Sequence, residues 1–346
     1  MRVGLATVYT PGIYGGAEFL ADGLAAALQE AGHSLHHIRL PFHFEPPAAV
    51  EAVLDNAATL DFTRYDGGQI DHMICLKFPA TMIRHPRKSV WLLHQHRSAY
   101  DLYGGPYGWQ PGVAETDALR EKIIAADEIL REAPLFTIAG RVSQRLMDFN
   151  AIPSTPLYHP PANEAEFHCA AALPYIFVPS RLEVLKRQDL LLRAIAACRT
   201  PVQAIIAGTG SKRAEFEALA GQLGVLDRVR FVGEISRAEM IALYANATAV
   251  FFGPVDEDYG YITLEAMLSS KPVVTCTDSG GPLEFVVDGE TGMICAPEPA
   301  SVAQALETLM REPDLAARLG AAGRARYASL DISWGHVVAR LLGEPA

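Results

Sequence analysis

The sequence predicts an α/β protein built from two doubly wound parallel sheets. Three observations carry that expectation. Short apolar runs alternate with helical periodicities along the chain, a proline-rich stretch interrupts the alternation near the middle, and 346 residues suit two domains of roughly 150 each.

The first βαβ unit is the clearest. Residues 2–8 read as a strand, Pro11 to Gly16 as a turn, and Ala17 to Ala31 as a helix in which Phe19, Leu20, Leu24 and Leu28 recur at helical spacing. Gly32 supplies the stop, and 33–40 is the next strand. Further strands are expected at 71–76, 89–93 and 135–139. Residues 151–173, with Pro153, Pro156, Pro160 and Pro161, read as a linker. A second series then begins at Tyr175 to Pro179 and continues at 202–207, 229–232, 249–252 and 272–276. The tail from 331 places Trp334, Val337, Val338, Leu341 and Leu342 on one stripe of a helix. The division is therefore set at residues 1–165 and 166–330, with the helix of 331–346 crossing back to the first domain.

Composition narrows the function. Half of the residues are apolar, 20 % are charged and the net charge is -11, so a phosphate backbone is repelled and nucleic acid is excluded as a partner. No apolar run approaches the ~20 residues of a membrane span. The N-terminus reads as a strand and not a secretory signal, and the five scattered cysteines form no framework. The expected address is the cytoplasm, with peripheral contact at the inner face of the membrane as a variant.

In an open parallel sheet, ligands bind beyond the carboxyl ends of the strands. Three such loops in the second half stand out. Ser180-Arg181-Leu182, followed by Lys186, brings two cations after one strand; Gly208-Thr209-Gly210 makes a glycine turn after the next. The segment Glu257-Asp258-Tyr259-Gly260-Tyr261 leads to Glu265, which stands one turn into a helix. The two carboxylates are thus not a side-by-side acid–base pair. Backbone N–H groups of Tyr259, Gly260 and Tyr261 lie at that helix's N-terminus, where they can meet anionic oxygens.

This combination, with Pro272-Val273-Val274, Gly280-Gly281-Pro282-Leu283-Glu284, Asp288 to Gly292 and Tyr14-Gly15-Gly16-Ala17-Glu18, resembles retaining GT-B glycosyltransferases of family 4. The resemblance implies two Rossmann-like domains facing a deep cleft, 1–165 on the acceptor side and 166–330 binding a nucleotide-sugar donor. It assigns Arg181 and Lys186 to the diphosphate, Glu257 to hydroxyls of the donor sugar and Glu265 to the ribose. Gly15, Gly16 and Gly208 are donor-side glycines, and Asp258 stands where the family often has glycine. His94, after the strand Val90 to Leu93, matches a recurrent active-site histidine, with His96 as competitor. His-x-His suggests metal, but no cysteine or carboxylate cluster completes a site, so no metal or cofactor is expected. The aromatic, glycine-rich run Tyr100 to Trp109 offers Tyr103, Tyr107, Trp109 and His96 as acceptor contacts, although aromatics also anchor loops to their own core.

The implied reaction moves a sugar from a nucleotide diphosphate onto a hydroxyl of a glycan, lipid-linked or small-molecule acceptor, with retention and without metal. Polysaccharide biosynthesis is the setting that the resemblance suggests. The alternatives are a non-catalytic sugar-nucleotide-binding protein and an epimerase or hydrolase on the same scaffold. A nicotinamide enzyme is disfavoured because the dinucleotide fingerprint is missing.

Overall fold

The alternation resolves into two six-stranded sheets in which every pairing is parallel. The computed structural model describes residues 1–12, 15–63 and 68–344. Its chain divides into a unit of Met1–His159 with the tail from Ile332, and a unit of Pro160–Asp331.

In the first unit, β1 (Arg2–Tyr9) leads to α1 (Gly16–Glu30), β2 (Ser34–Pro41), α2 (Pro47–Thr59), β3 (His72–Cys75) and β4 (Lys88–Leu92). Then come α3 (Ala114–Ala126), β5 (Leu135–Thr137), α4 (Gly140–Asn150) and the two-residue β6 (Thr155–Pro156). The sheet order is β2-β1-β3-β4-β5-β6. Helix α1 starts where the Glu18 carboxylate accepts the Gly15 N–H at 2.8 Å, and its chain turns away at Gly32, whose φ of +83° favours glycine. Leu20, Leu24 and Leu28 bury its stripe, whereas Phe19 faces solvent at 49 % exposure, one position off that stripe. Tyr14, which opens the glycine motif, lies outside the described residues.

The second unit runs β7 (Ile176–Pro179), α5 (Gln188–Ala197), β8 (Ala204–Ala207), α6 (Arg213–Gln222), β9 (Val229–Gly233) and α7 (Arg237–Asn246). It continues with β10 (Ala249–Phe251), α8 (Tyr261–Leu268), β11 (Val273–Cys276), the short α9 (Pro282–Phe285) and β12 (Gly292–Cys295). Helices α10 (Pro299–Arg311) and α11 (Pro313–Ser329) close it. The order β12-β11-β10-β7-β8-β9 is the doubly wound pattern, with its reversal between β7 and β10. Ile176, Val178, Leu191, Ile195, Phe251, Val274 and Leu306 fill the core, which explains the continuous apolar strands.

Helix α12 (Trp334–Leu342) belongs to the first unit. The Ser333 hydroxyl caps it, and the Trp334 ring meets Trp91 edge-on at 6.3 Å. Gly23 makes that seat possible, since a Cβ there would stand 2.3 Å from the indole. The Ser89 hydroxyl donates to the Leu341 carbonyl at 2.8 Å, tying the helix to β4. No helix among the described residues is long and apolar enough to cross a membrane.

Candidate functional site

The reversal between β7 and β10 puts the loops after these two strands side by side, and this is where the sequence concentrates its cations and carboxylates. Lys186 ends a 3-10 turn, Val184–Lys186, and its ammonium binds the Glu257 carboxylate while lying 5.6 Å from the Phe252 ring centroid. Both side chains are mostly buried, at 17 % and 24 % exposure, so the ion pair is shielded from bulk water and each partner depends on the other. Arg181 sits earlier in the same loop and is exposed; its guanidinium makes no hydrogen bond or ion pair among the described residues.

The backbone of these loops is cross-braced. Ser180 N–H donates to Ala207 O at 3.0 Å and Leu182 N–H to Thr209 O at 2.9 Å, sewing the β7 loop to the β8 loop. Gly208, at φ +126°, would push a Cβ to within 2.2 Å of Ser180 O, and its own N–H is committed to Gly233 O at 2.7 Å. The glycine is needed where loop crosses loop. The same holds further on. Glu257 N–H donates to Ser279 O at 2.9 Å, Gly281 N–H to Glu257 O at 2.8 Å, and a Cβ on Gly280 would lie 2.5 Å from Glu257 O. The paired glycines after β11 thus let that loop carry Glu257 on its shoulder.

Arg187 was not singled out by motif reading, yet it holds this junction together. It occupies the left-handed region at φ 52° and donates to Gly253 O at 2.8 Å, Pro254 O at 2.5 Å and both Asp278 oxygens at 2.6 and 3.0 Å. One guanidinium therefore spans the loops after β7, β10 and β11. The run Lys186-Arg187 carried the signal, but side-chain direction alone separates the two roles.

Glu265 stands in the second turn of α8 with 16 % of its side chain exposed. The Tyr244 hydroxyl donates to one oxygen at 2.6 Å, and Arg237 lies 3.6 Å from the other. Burial raises its pKa, while the Tyr244 hydrogen bond and the Arg237 charge oppose the rise. Gly260, at φ +85°, opens α8, whose N-terminal amides have no side-chain cap. Tyr259 is buried edge-on against Tyr261 at 5.3 Å and Phe285 at 5.6 Å, so its ring is structural.

At the carboxyl edge of the first sheet, Gly15 is extended at φ -157° and its N–H is taken by Glu18, while Gly16 is the exposed first residue of α1. Beside them lies a cavity of about 410 Å³ lined by residues that include Thr7, Tyr9, Glu18, Asp22 and Arg39. His94 donates from Nδ1 to Gln95 O at 2.6 Å.

Two acceptor candidates are overturned by burial. Trp109 is 7 % exposed and His96 5 %, their rings 5.0 Å apart in a cluster with Phe42, Phe44 and Phe78. Burial, with the His94 and Lys77 charges, pushes His96 down to about 4, so it is a neutral core imidazole. Tyr103 is occupied in holding its loop, its hydroxyl donating to Asp117 at 2.7 Å with Arg120 4.3 Å above the ring. Tyr107 alone of the four is exposed. Beneath the loop lies a polar set that sequence patterning did not reveal. Asp127 is buried, accepts the Tyr100 hydroxyl at 2.7 Å, and is pushed up to about 7 by desolvation. No cluster of three or more His, Cys, Asp or Glu residues capable of holding a metal occurs among the described residues.

Residues 168–326 match the family model of glycosyl transferases group 1, which covers the whole charged junction. This segment, just under half of the chain, is similar to the group 1 glycosyl transferases. Human alpha-1,3/1,6-mannosyltransferase ALG2 is 33 % identical over 163 residues, 42 % of this chain and 39 % of that protein. A D-inositol 3-phosphate glycosyltransferase of Frankia alni is 37 % identical over 160 residues, again 42 % and 39 %. The chain thus spans about two fifths of the length of these relatives. The fold extends beyond the matched segment. Sucrose-phosphate synthase of Thermosynechococcus elongatus superposes with a TM-score of 0.76 over 98 % of this chain and 96 % of its own, at 18 % identity. Anabaena HepE, solved in complex with UDP, gives 0.67 over 98 % and 97 %, at 17 %. The architecture is that of GT-B glycosyltransferases.

Proposed function

We propose that the protein is a retaining glycosyltransferase that uses a nucleotide diphosphate-sugar donor without a metal. The observation that carries the reading is the junction at the β7/β10 reversal, where Lys186 and Glu257 are held against each other and Glu265 follows in the second turn of α8. Transfer leaves negative charge on the departing diphosphate, and fixed cations placed where that charge develops lower the barrier. Arg181 and Lys186 fill that role. Donor binding gives the Lys186 ammonium a phosphate partner and releases Glu257 to accept hydroxyls of the transferred sugar, while Glu265 accepts those of the ribose. The acceptor oxygen then bonds to the anomeric carbon as the carbon–oxygen bond to the diphosphate breaks. Its proton passes to the departing phosphate oxygen, so the bond forms on the face that the leaving group vacates and the configuration is kept. The similarity to named glycosyltransferases over the matched segment supports the reading, and HepE with UDP supports a nucleotide ligand. A glycan or lipid-linked acceptor and a cytoplasmic setting complete the proposal.

The test is a thermal-shift screen of UDP, GDP, ADP, dTDP and CMP, each with Mg²⁺ and with EDTA. A diphosphate at 100 times its Kd stabilises by about 2.7 kcal/mol, and the rise is expected to survive EDTA and vanish in Glu265→Ala. With that donor base in hand, Lys186→Ala is expected to lower kcat by roughly 10²- to 10³-fold, and the product's anomeric configuration is read by NMR. An inverted product defeats retention; no response to any nucleotide defeats the donor assignment.

A further inference from the structure

Arg237 heads α7 and lies between two parts of the second unit that motif reading kept separate. One side of its guanidinium covers the Phe167 ring at 4.7 Å, and one NH₂ group donates to Ala162 O at 2.5 Å, both in the segment that follows Pro160. The other NH₂ group lies 3.6 Å from Glu265, and the buried Nε has no hydrogen-bond partner among the described residues. Phe167 is itself fixed, edge-on to Tyr244 at 5.7 Å, and Tyr244 donates to the second Glu265 oxygen. Phe167, Arg237 and Tyr244 therefore form a closed bracket around one carboxylate. We infer that Arg237 is a positioning residue: seated on Phe167 and Ala162, it holds Glu265 ionised and oriented, with Tyr244, for accepting the donor's hydroxyls.

This inference rests on the proposed role of Glu265 at the donor. The physical need for the bracket is plain, because a carboxylate this deeply placed is driven toward its neutral form by desolvation, and a neutral acid offers one acceptor fewer and a competing O–H. Few other charges act on it. Tyr261, on the same helix, carries a phenol raised by burial and then by the Glu265 charge itself. Helix α11, packed on α8, spends Arg324 on Leu268 O and Tyr327 on Glu164, and Lys271 donates to Ala170 O at 3.1 Å. Arg237 is thus the cation that opposes the desolvation.

The experiment follows the Glu265 carboxyl carbon by NMR in ¹³C-glutamate-labelled protein, assigned by its loss in Glu265→Gln. Arg237→Gln is expected to move the titration midpoint upward, and Arg237→Lys to restore most of it. Phe167→Leu, which loosens the seat without removing the charge, gives a smaller move in the same direction and guards against a misfolded Gln variant. Affinity for the nucleoside diphosphate found in the screen is measured at pH 6 and pH 8.5. For Arg237→Gln the affinity is expected to fall more at pH 6 than at pH 8.5, because the upward-shifted carboxyl carries more protons at the lower pH. An unmoved midpoint in folded Arg237→Gln overturns the inference. A moved midpoint with nucleotide affinity unchanged keeps the bracket and removes Glu265 from the donor site.

Discussion

The carboxyl edges of the two sheets are built from the same connection type but are held by opposite chemistry. In the second unit the loops are joined by charged groups: Lys186 to Glu257, Arg187 to Asp278 and to two carbonyls, Arg237 to Glu265. In the first unit the corresponding loops are joined by rings, with Phe42, Phe44, Phe78, His96 and Trp109 packed together. The difference teaches how each kind of residue is to be read. A buried charge at a loop needs a partner or a ligand, so its burial there points to a built contact. An aromatic at a loop is satisfied by its own core, so its presence points to nothing beyond packing.

Breaking the aromatic edge should have the largest effect on stability. Trp109→Ala is expected to cost about 3–5 kcal/mol by urea unfolding, the usual range for emptying a buried large ring, while Tyr107→Ala should stay within about 0.5 kcal/mol. Equal small losses in both would return Trp109 to the list of surface contacts. Breaking the charged edge at its brace comes next. Arg187→Ala removes bonds to Gly253 O and Pro254 O and leaves Asp278 unpaired, for a loss of about 2–3 kcal/mol, discounted because Asp278 is 47 % exposed. A silent Arg187→Ala would mean that the backbone bonds between the loops suffice.

An effect visible only as a change with pH sharpens the comparison, since it concerns a charge hidden beneath the aromatic edge. Asp127 is raised from 3.8 to about 7, chiefly by burial. The folded state then holds a proton that the unfolded chain has released, so this group's contribution is full below pH 3.8 and is lost as pH rises through 7. Asp127→Asn should remove that decline, at most about 1.4 kcal/mol per pH unit, leaving stability flatter from pH 5 to 8 than in the parent. Parallel curves for the two proteins would show that Asp127 titrates normally.

Much of the fold was legible because parallel sheets buried on both faces need continuous apolar strands, and β1, β7 and β11 advertise themselves. Strands β6 and β12 were not read: the first has two residues, and the second, Gly292–Cys295, opens on a glycine whose Cβ would strike Val273 O at 2.3 Å. Of the candidate site, Arg181, Lys186 and Glu257 were visible as charges after apolar strands, and Glu265 as a carboxylate one turn into the following helix. Arg187, Arg237 and Tyr244 were not, because each acts across elements that are remote in sequence, and no local spacing records such a partnership.

By itself the sequence determined the strand and helix series, the doubly wound class and the loops that carry charge, since hydrophobic period and loop position are properties of neighbours along the chain. The tertiary structure alone decided which partner each charge takes, which glycines serve backbone crossing, and which aromatics are interior. Those outcomes depend on distance and desolvation between segments that meet only when the strands β7 and β10, more than sixty residues apart, lie side by side in one sheet.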